Sequence, residues 1–261
     1  MTDVTLSRAA DAEPSRRNWP PEERKFSYTK TWSGKIGKVT PVRSFSPAVE
    51  DYLKAIYRLQ GEAGDPVTTN ALGSWLGVTA PSASGMLKKL DDLRLVAYVP
   101  YRGVRLTEAG RRAALGVVRR HRLLEAFLAE ALGLSWDQVH DEAEVLEHAV
   151  SPGLCEVIAA RLGDPRTDPH GDPIPTRDGR VSEAPARDLG SLGPGQRGRV
   201  TRVSDRDPAI LRFLTARGIA LGDVLEVKEV RPGGAVTVHA RSGTHLLSAA
   251  VTAAIRVTTS W

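Results

Sequence analysis

The sequence predicts a mainly α-helical chain that ends in a small β domain. Apolar residues recur at helical spacing from Ser46 to about residue 163. A segment rich in Pro, Gly and Asp follows, and beyond it apolar and polar residues alternate as they do in short strands. We therefore predict five regions: an N-terminal extension (1–44), two helical domains (45–107 and 108–163), a linker (164–189) and a β-barrel domain (190–261).

The N-terminal extension shows no helical or strand periodicity, and its basic residues outnumber its acidic ones. This pattern is typical of a disordered basic tail that can contact phosphate groups. A dispensable extension explains the same pattern equally well.

The first helical domain has the order helix, helix, turn, helix, strand, strand. Ser46 is a suitable cap for the first helix, and Pro47 fits its first turn. The predicted helices span 46–59, 69–75 and 81–93, and the predicted strands span 95–100 and 103–106. This order is typical of a winged helix-turn-helix, in which the third helix enters the major groove of DNA.

The third helix and the wing carry residues suited to DNA binding. Small and hydroxylated residues at the start of this helix allow a close approach to the groove, and basic residues follow along the helix and wing. The predicted DNA-binding residues are Thr79, Pro81, Ser82, Ser84, Lys88, Lys89, Arg102 and Arg105. This segment alone leaves open an ordinary three-helix core with solvated lysines.

The second helical domain is predicted to begin with a long helix that Thr107 caps and that reaches residue 132. Shorter helices are predicted at 135–139, with Ser135 as the cap, at 140–149 and at 152–162. Cys155 lies in an apolar run of the last helix, so we expect it to be a core residue.

Histidine and carboxylate residues are concentrated at 140–148. On a helix, His140, Glu144, Glu147 and His148 share one face, because they occupy positions i, i+4, i+7 and i+8. Adjacent carboxylates repel each other unless a proton or a cation lies between them. Imidazole and carboxylate groups together suit a divalent metal of intermediate hardness.

The long helix carries a second such pair, His121 and Glu125, at positions i and i+4. Asp51 of the first helix can supply a further carboxylate. The pattern therefore predicts a metal site between these helices. A surface helix with solvated acids and hydrogen-bonded histidines is the alternative.

The β-barrel domain is predicted from short alternating segments. Strands are expected at 198–203, 224–230, 235–239 and 254–258, a helix at 209–217, and a hairpin turn at 232–234. His170 in the linker and His239 and His245 in the barrel are expected to be surface residues.

Composition limits the class of protein. The 261 residues are 41% hydrophobic and 26% charged, which is sufficient for an ordinary core. The single cysteine excludes a disulfide framework. The sequence has no apolar run of membrane-spanning length and no secretory signal, so we expect a cytoplasmic protein without a membrane partner. The net charge of +5 permits a nucleic-acid partner.

Common enzyme motifs do not occur in a fitting context. The histidine spacing is not that of H-E-x-x-H zinc enzymes, and no nucleophile elbow or P-loop is present. A metal-dependent hydrolase would need a nucleophile or base outside the metal-ligand set. We therefore predict that the chain is not an enzyme.

Six segments of the chain carry a family resemblance: EDYLKAIYRL, TTNALGSWLGVTAPSASGMLKKL, VPYRGVRLTEAGR, RRHRLLEAFL, VHDEAEVLEHAVS and DPHGDPIP. In this order they resemble the diphtheria toxin repressor family of metal-activated regulators. The resemblance implies a winged helix-turn-helix domain that binds DNA, a helical domain that dimerises and holds metal, and an SH3-like (FeoA-type) barrel.

The resemblance also implies the metal ligands. The primary site would use Asp51, Glu144, Glu147 and His148. The ancillary site would use His121, Glu125 and His140, together with a barrel acid such as Asp205 or Asp207.

The type of ligand distinguishes branches of the family. Iron-type members of the family have a similar pattern, but with Met and Cys at the positions of Asp51 and Glu144. The hard oxygen donors of this chain shift the metal preference of the site toward Mn(II). Manganese-sensing members carry an acid at the position of Lys54. Because an ammonium cannot bind a metal, we expect two separated single-metal sites in place of a binuclear one.

The function implied is that of a homodimeric transcriptional regulator that binds palindromic double-stranded operators when loaded with Mn(II) and controls metal-uptake genes. An Fe(II)-responsive regulator of the same family is one alternative. A protein-interaction module that does not bind DNA and binds metal only incidentally is the other.

Overall fold

A computed structural model describes residues 45–61, 64–182 and 184–260. The predicted basic extension (1–44) lies outside these residues. Within the described ranges, no helix is both long enough and apolar enough to cross a membrane. The mainly α-helical fold with a C-terminal β domain is confirmed.

The first domain has the predicted winged helix-turn-helix order. Its elements are α1 (Pro47–Gln60), α2 (Thr69–Leu76), α3 (Ala80–Asp92), β1 (Val96–Val99) and β2 (Gly103–Leu106). The Thr68 hydroxyl accepts a hydrogen bond from the Ala71 N–H and caps α2, and Gly77 ends this helix with φ at +66°. The tight turn before α3 is therefore encoded by a cap and a left-handed glycine.

The two wing strands pair antiparallel, with Val96 opposite Leu106 and Val99 opposite Gly103. Val67 forms an isolated bridge to Val104 and so fastens the wing to the segment before α2. The wing is therefore part of the first domain's core, because Val67, Val96 and Val104 are all buried there.

The second domain contains α4 (Glu108–Leu132), α5 (Val139–Leu146) and α6 (Pro152–Arg161). The short helix predicted at 135–139 is wrong. Ser135 and Gln138 instead close a turn, because the Ser135 N–H and hydroxyl both donate to Oε1 of Gln138. Cys155 is buried in this domain's core, as predicted.

The C-terminal domain is built around an antiparallel sheet. Its elements are β3 (Arg187–Asp188), β4 (Arg197–Val203), α7 (Pro208–Ala216), β5 (Val224–Val230), β6 (Val236–Ala240), β7 (Gly243–Leu247), α8 (Ala249–Ala254) and β8 (Ile255–Thr258). The strand order is β3-β8-β4-β5-β6-β7, with register shifts in β4 and β5 that bend the sheet. The predicted strands and helix are confirmed, and β3, β7 and α8 were not predicted.

The start of α4 packs directly under the wing at Gly110. A Cβ atom at this position would lie 1.8 Å from the carbonyl oxygen of Leu95, so no other residue fits without a backbone shift. Glycine here is therefore a packing requirement, since the helix itself would favour alanine.

We expect Gly110→Ala to lower the free energy of unfolding by about 1–3 kcal/mol, because the methyl group overpacks the contact with Leu95. Gly116→Ala on the same helix is the matched control, since nothing lies within 4 Å of the position that its methyl group would take. This control should stabilise the protein by about 0.5–1 kcal/mol. Urea unfolding measures both, and equal effects of the two variants would contradict the close packing.

Candidate metal centre

The middle of α4 supplies two buried polar side chains, His121 and Glu125, one helical turn apart. His121 Nδ1 lies 2.7 Å from Oε2 of Glu147, and its Nε2 lies 3.0 Å from Oε1 of Glu125. Burial alone would lower the pKa of His121, but Glu125 and Glu147 outweigh burial and raise it. The two carboxylates on either side of this imidazole therefore favour its charged form.

The first cluster consists of Asp51 on α1 with Glu147 and His148 just after α5. One donor atom of each lies within 4.8 Å of the others, and His148 Nε2 is 2.9 Å from Oδ1 of Asp51. The other ring nitrogen, Nδ1, lies 3.0 Å from Oε2 of Glu50, which also accepts from Arg120 at 2.7 Å. Glu50 therefore orients His148 with Nε2 toward the cluster, as outer carboxylates do in metal sites.

The pKa values of the two carboxylates in the first cluster are shifted in opposite directions. Burial raises the pKa of Asp51, and the nearby His148 and Lys54 only partly offset it. Burial also acts to raise the pKa of Glu147, but His121 and Lys54 outweigh it and the net shift is downward. The surroundings of Glu147 therefore favour its charged form.

Lys54 on α1 reaches into the same region. Its Nζ lies 2.6 Å from Oε1 of Glu147 and 2.8 Å from Oε1 of Glu144. Donor atoms of His121, Glu144 and Glu147 lie within 4.8 Å of one another, and we refer to these three residues as the bridging cluster. The structure thus places Glu144 beside Lys54, apart from the first cluster with which it was predicted to act.

The second cluster consists of His121, Glu125, His140 and Asp205. His140 Nδ1 lies 3.0 Å from Oδ2 of Asp205 and 3.2 Å from Oε1 of Glu125. Of the two barrel acids considered, Asp205 therefore reaches the cluster. Asp207 instead caps α7, because its carboxylate accepts from the Ala209 N–H.

The charges of the second cluster are mutually stabilised. Burial acts to lower the pKa of His140, but hydrogen bonds to Asp205 and Glu125 raise it to about 10. Burial acts to raise the pKa of Asp205, yet His140 and Arg58 hold it well below its usual range. His121 belongs to both this cluster and the bridging cluster, so the predicted primary and ancillary groups are connected through one imidazole.

A third cluster, Glu125, Asp168 and His170, was missed by the sequence reasoning. The prediction that His170 lies at the surface is wrong, because it is fully buried. Its Nε2 donates to the Trp136 carbonyl at 2.6 Å. This Nδ1 lies 3.8 Å from Oε1 of Glu125.

Two buried polar atoms of the third cluster have no hydrogen-bond partner within the described part of the chain: His170 Nδ1 and Glu125 Oε2. Unsatisfied buried polar atoms are rare and require an explanation. A cation bound here would give the Glu125 oxygen a partner, and the carboxylate and imidazole groups of the cluster suit a divalent metal.

The segment that carries His170 is packed between α4 and the barrel, although its composition indicated a linker without a core. The Asp168 carboxylate accepts from the backbone N–H groups of His170 and Asp172. Gly171 has φ at +86°, and a Cβ there would lie 2.0 Å from the Thr201 carbonyl oxygen. A tight turn with a required glycine therefore presses the DPHGDPIP segment onto β4.

The loop after β4 contacts the winged helix domain directly. Arg58 on α1 lies 3.5 Å from Oδ2 of Asp205, the same oxygen that faces His140. The guanidinium of Arg206 stacks 3.5 Å above the ring of Trp75 on α2. Asp205 therefore links the second cluster to the first helix of the winged domain.

The predicted DNA-binding residues are mostly accessible. Ser84 is half-buried, and the other seven are exposed: Thr79, Pro81, Ser82, Lys88, Lys89, Arg102 and Arg105. The Thr79 hydroxyl also caps α3 by accepting from the Ser82 N–H. Tyr101 at the tip of the wing is fully exposed with φ at +66°, and the sequence reasoning gave it no role.

We expect His140 to make the stability of the metal-free protein depend on pH. Its pKa of about 10 in the folded chain lies above the ordinary value of 6.5, so its contribution is complete below about pH 6.5 and is lost as the pH rises toward 10. The stability difference between wild type and His140→Gln should therefore shrink over this range.

Urea unfolding in the presence of a chelator measures this difference at each pH. His239→Gln is the matched control, because it removes an exposed barrel histidine that does not touch the clusters. A difference for His140→Gln that stays constant between pH 6.5 and 10 would contradict the assigned ion pairs.

Three family descriptions match successive parts of the chain. Residues 44–104 match the iron dependent repressor, N-terminal DNA binding domain. Residues 107–176 match the iron dependent repressor, metal binding and dimerisation domain, and residues 187–259 match the FeoA domain.

Individual relatives agree with these matches. The iron-dependent repressor IdeR of Mycobacterium tuberculosis is 35% identical over 48% of this chain and 54% of its own length, so the match spans about half of that relative. The diphtheria toxin repressor of Corynebacterium diphtheriae is 29% identical over 76% of this chain and 87% of its own. A manganese-dependent transcriptional repressor solved in complex with manganese is 47% identical over 81% of this chain and 100% of its own, with a TM-score of 0.76. The chain therefore belongs to the diphtheria toxin repressor family of metal-dependent transcriptional repressors.

Proposed function

We propose that this chain is a Mn(II)-responsive, homodimeric repressor that binds palindromic operators when loaded with metal and controls metal-uptake genes. The observation that carries the proposal is that the donor groups come from three different domains. Asp51 comes from the winged domain, Glu147 and His148 from the helical domain, and Asp205 from the barrel. A cation at the first cluster would join the winged domain to the helical domain, and a cation at the second cluster would join the helical domain to the barrel.

The donor chemistry supports Mn(II). All donors in the clusters are carboxylate oxygens or imidazole nitrogens, which suit a metal of intermediate hardness. The only thiol, Cys155, is buried in the helical core, and burial raises its pKa to about 11, so it is not a thiolate donor. The related manganese-dependent repressor supports the same choice.

Fe(II) is the second candidate metal, because the relative IdeR is named an iron-dependent repressor. Affinity alone favours several metals over manganese at any such site, so the metal available in the cell contributes to the selection. Comparing Mn(II), Fe(II) and Zn(II) in one binding assay separates the candidates.

Metal would act on DNA binding through differential affinity. Asp51 and Lys54 on α1 face Glu147 across the boundary between the winged and helical domains. If metal binds more tightly to the arrangement that also fits DNA, metal favours that arrangement, and DNA must tighten metal binding by the same factor. In a dimer, two α3 helices about 34 Å apart would read the two halves of a palindrome.

The helical domain offers a surface for dimerisation. Its three helices leave large apolar side chains exposed: Leu132, Val145, Leu146, Leu154 and Val157. On α6, Leu154 and Val157 are exposed while Cys155 and Ile158 are buried, so this helix is apolar on both faces. Such a helix is typical of one that packs against a partner.

Metal-dependent DNA binding is testable with Asp51→Asn. A duplex is first selected from a random-sequence pool with Mn(II)-loaded wild-type protein, and its affinity is then followed by fluorescence anisotropy at two salt concentrations. We expect Asp51→Asn to need roughly 10- to 100-fold more Mn(II) for the same DNA binding, because it removes a charged donor of the first cluster.

Asp207→Asn is the matched control, since Asp207 caps α7 outside the clusters. It should bind like wild type. A wild-type protein that selects no duplex, or whose binding is independent of metal and of salt, would instead favour the protein-interaction module.

Dimerisation is testable with the double variant Leu154→Glu, Val157→Glu. Two buried charges at an interface are costly, so we expect a shift from dimer to monomer in sedimentation velocity at micromolar concentration. Leu246→Glu, at a similarly exposed apolar residue on the barrel edge, is the control and should leave the dimer intact. A double variant that remains a dimer would place the interface elsewhere.

A further inference from the structure

Lys54 is a buried cation within the candidate metal centre. It lies on α1, three residues after Asp51, and only 8% of its side chain is exposed. Its ammonium donates to Glu147, which is fully buried, and to Glu144. Both hydrogen bonds are short, at 2.6 and 2.8 Å, so the ammonium occupies the space between these two carboxylates.

Two groups of donors in this centre share Glu147. On one side it belongs to the first cluster, and on the other side it belongs to the bridging cluster with His121 and Glu144. The Lys54 ammonium binds both carboxylates of the bridging cluster and neither donor atom that is unique to the first cluster. The centre therefore has two adjacent positions suited to a cation, and one of them is already filled by a side chain.

We infer that Lys54 is a tethered cation that takes the place of a second metal ion, so that this part of the centre accepts one divalent ion, at the first cluster. The inference rests on the proposed metal-dependent function. Lys54 has a second role in the same position: its charge keeps Glu144 and Glu147 together, and attached to α1, before any metal binds.

Both roles follow from charge. An ammonium has no lone pair, so it cannot bind a metal, and it repels a divalent ion in the adjoining position. Glu147 is fully buried, and a buried carboxylate without a cation is strongly destabilising. A positive side chain here therefore stabilises the metal-free centre while limiting how much metal it takes.

Lys54→Glu tests the limit on metal. This change removes the ammonium and adds a carboxylate, so we expect the variant to bind one more Mn(II) per protomer than wild type. The two ions would share Glu147, and their proximity would give a spin-coupled electron paramagnetic resonance spectrum that wild type lacks. Lys228→Glu, at an exposed barrel residue, makes the same charge change and should bind the wild-type number of ions.

Lys54→Met tests the role in the metal-free protein and covers the case in which Lys54→Glu does not fold. Methionine keeps most of the volume but no charge. We expect a lower Tm in the presence of a chelator, recovery of much of that loss with Mn(II), and Mn(II) binding roughly three- to tenfold tighter than in wild type. Lys228→Met is the matched control and should match wild type in all three measurements.

The outcomes separate the inference from the function on which it rests. If wild type binds Mn(II) but Lys54→Glu binds the same number of ions with no spin coupling, the tethered cation does not limit the number of metal ions that the protein binds. An unchanged Tm of chelated Lys54→Met would overturn its role in the metal-free centre. If wild type binds no Mn(II) at all, the proposed function fails and the inference falls with it.

Discussion

The structure depends on how the buried carboxylate of Glu147 is neutralised. A charged group with no exposure to water is tolerated only when cations or strong donors surround it. Here one oxygen faces the ammonium of Lys54 on α1 and the other faces His121 on α4. Because these partners come from different helices, satisfying this one charge fixes where the end of α5 lies against the winged domain.

A second chain of charges runs from α4 to the barrel. His140 forms ion pairs with both Glu125 and Asp205, and the Asp205 carboxylate also faces Arg58 of the winged domain. The DPHGDPIP segment holds the barrel against α4, since Arg122 of α4 donates to the Pro173 carbonyl and the His170 carbonyl accepts from the Val203 N–H of β4. The barrel thereby contacts the winged domain at the same residue that completes the second cluster.

Local sequence patterns were sufficient to predict most helices and strands, and to predict which histidines and carboxylates share a helical face. Periodicity predicted the helices, and spacing within α4 predicted the pairing of His121 with Glu125. The burial of His170 could not be predicted from a local pattern, because it arises from the packing of two domains that are distant in the sequence. Glu50 was missed for the same reason: it orients His148 across 98 positions in the sequence. The strand β7, with the sequence GTHLL, shows too little alternation to be recognised.

The helix α4 is the element through which these features can influence one another. Its first turn packs on Leu95 at the base of the wing, its middle carries His121 and Glu125, and its last turn includes the exposed Leu132 of the apolar surface. An α-helix of this length, 25 residues, is a stiff connection because its backbone hydrogen bonds are satisfied internally. A change in how α1 is held against the middle of α4 therefore acts on the same stiff helix that packs under the wing and carries the exposed Leu132. The charge that holds α1 there is consequently well placed to affect the spacing between the two α3 helices of the proposed dimer.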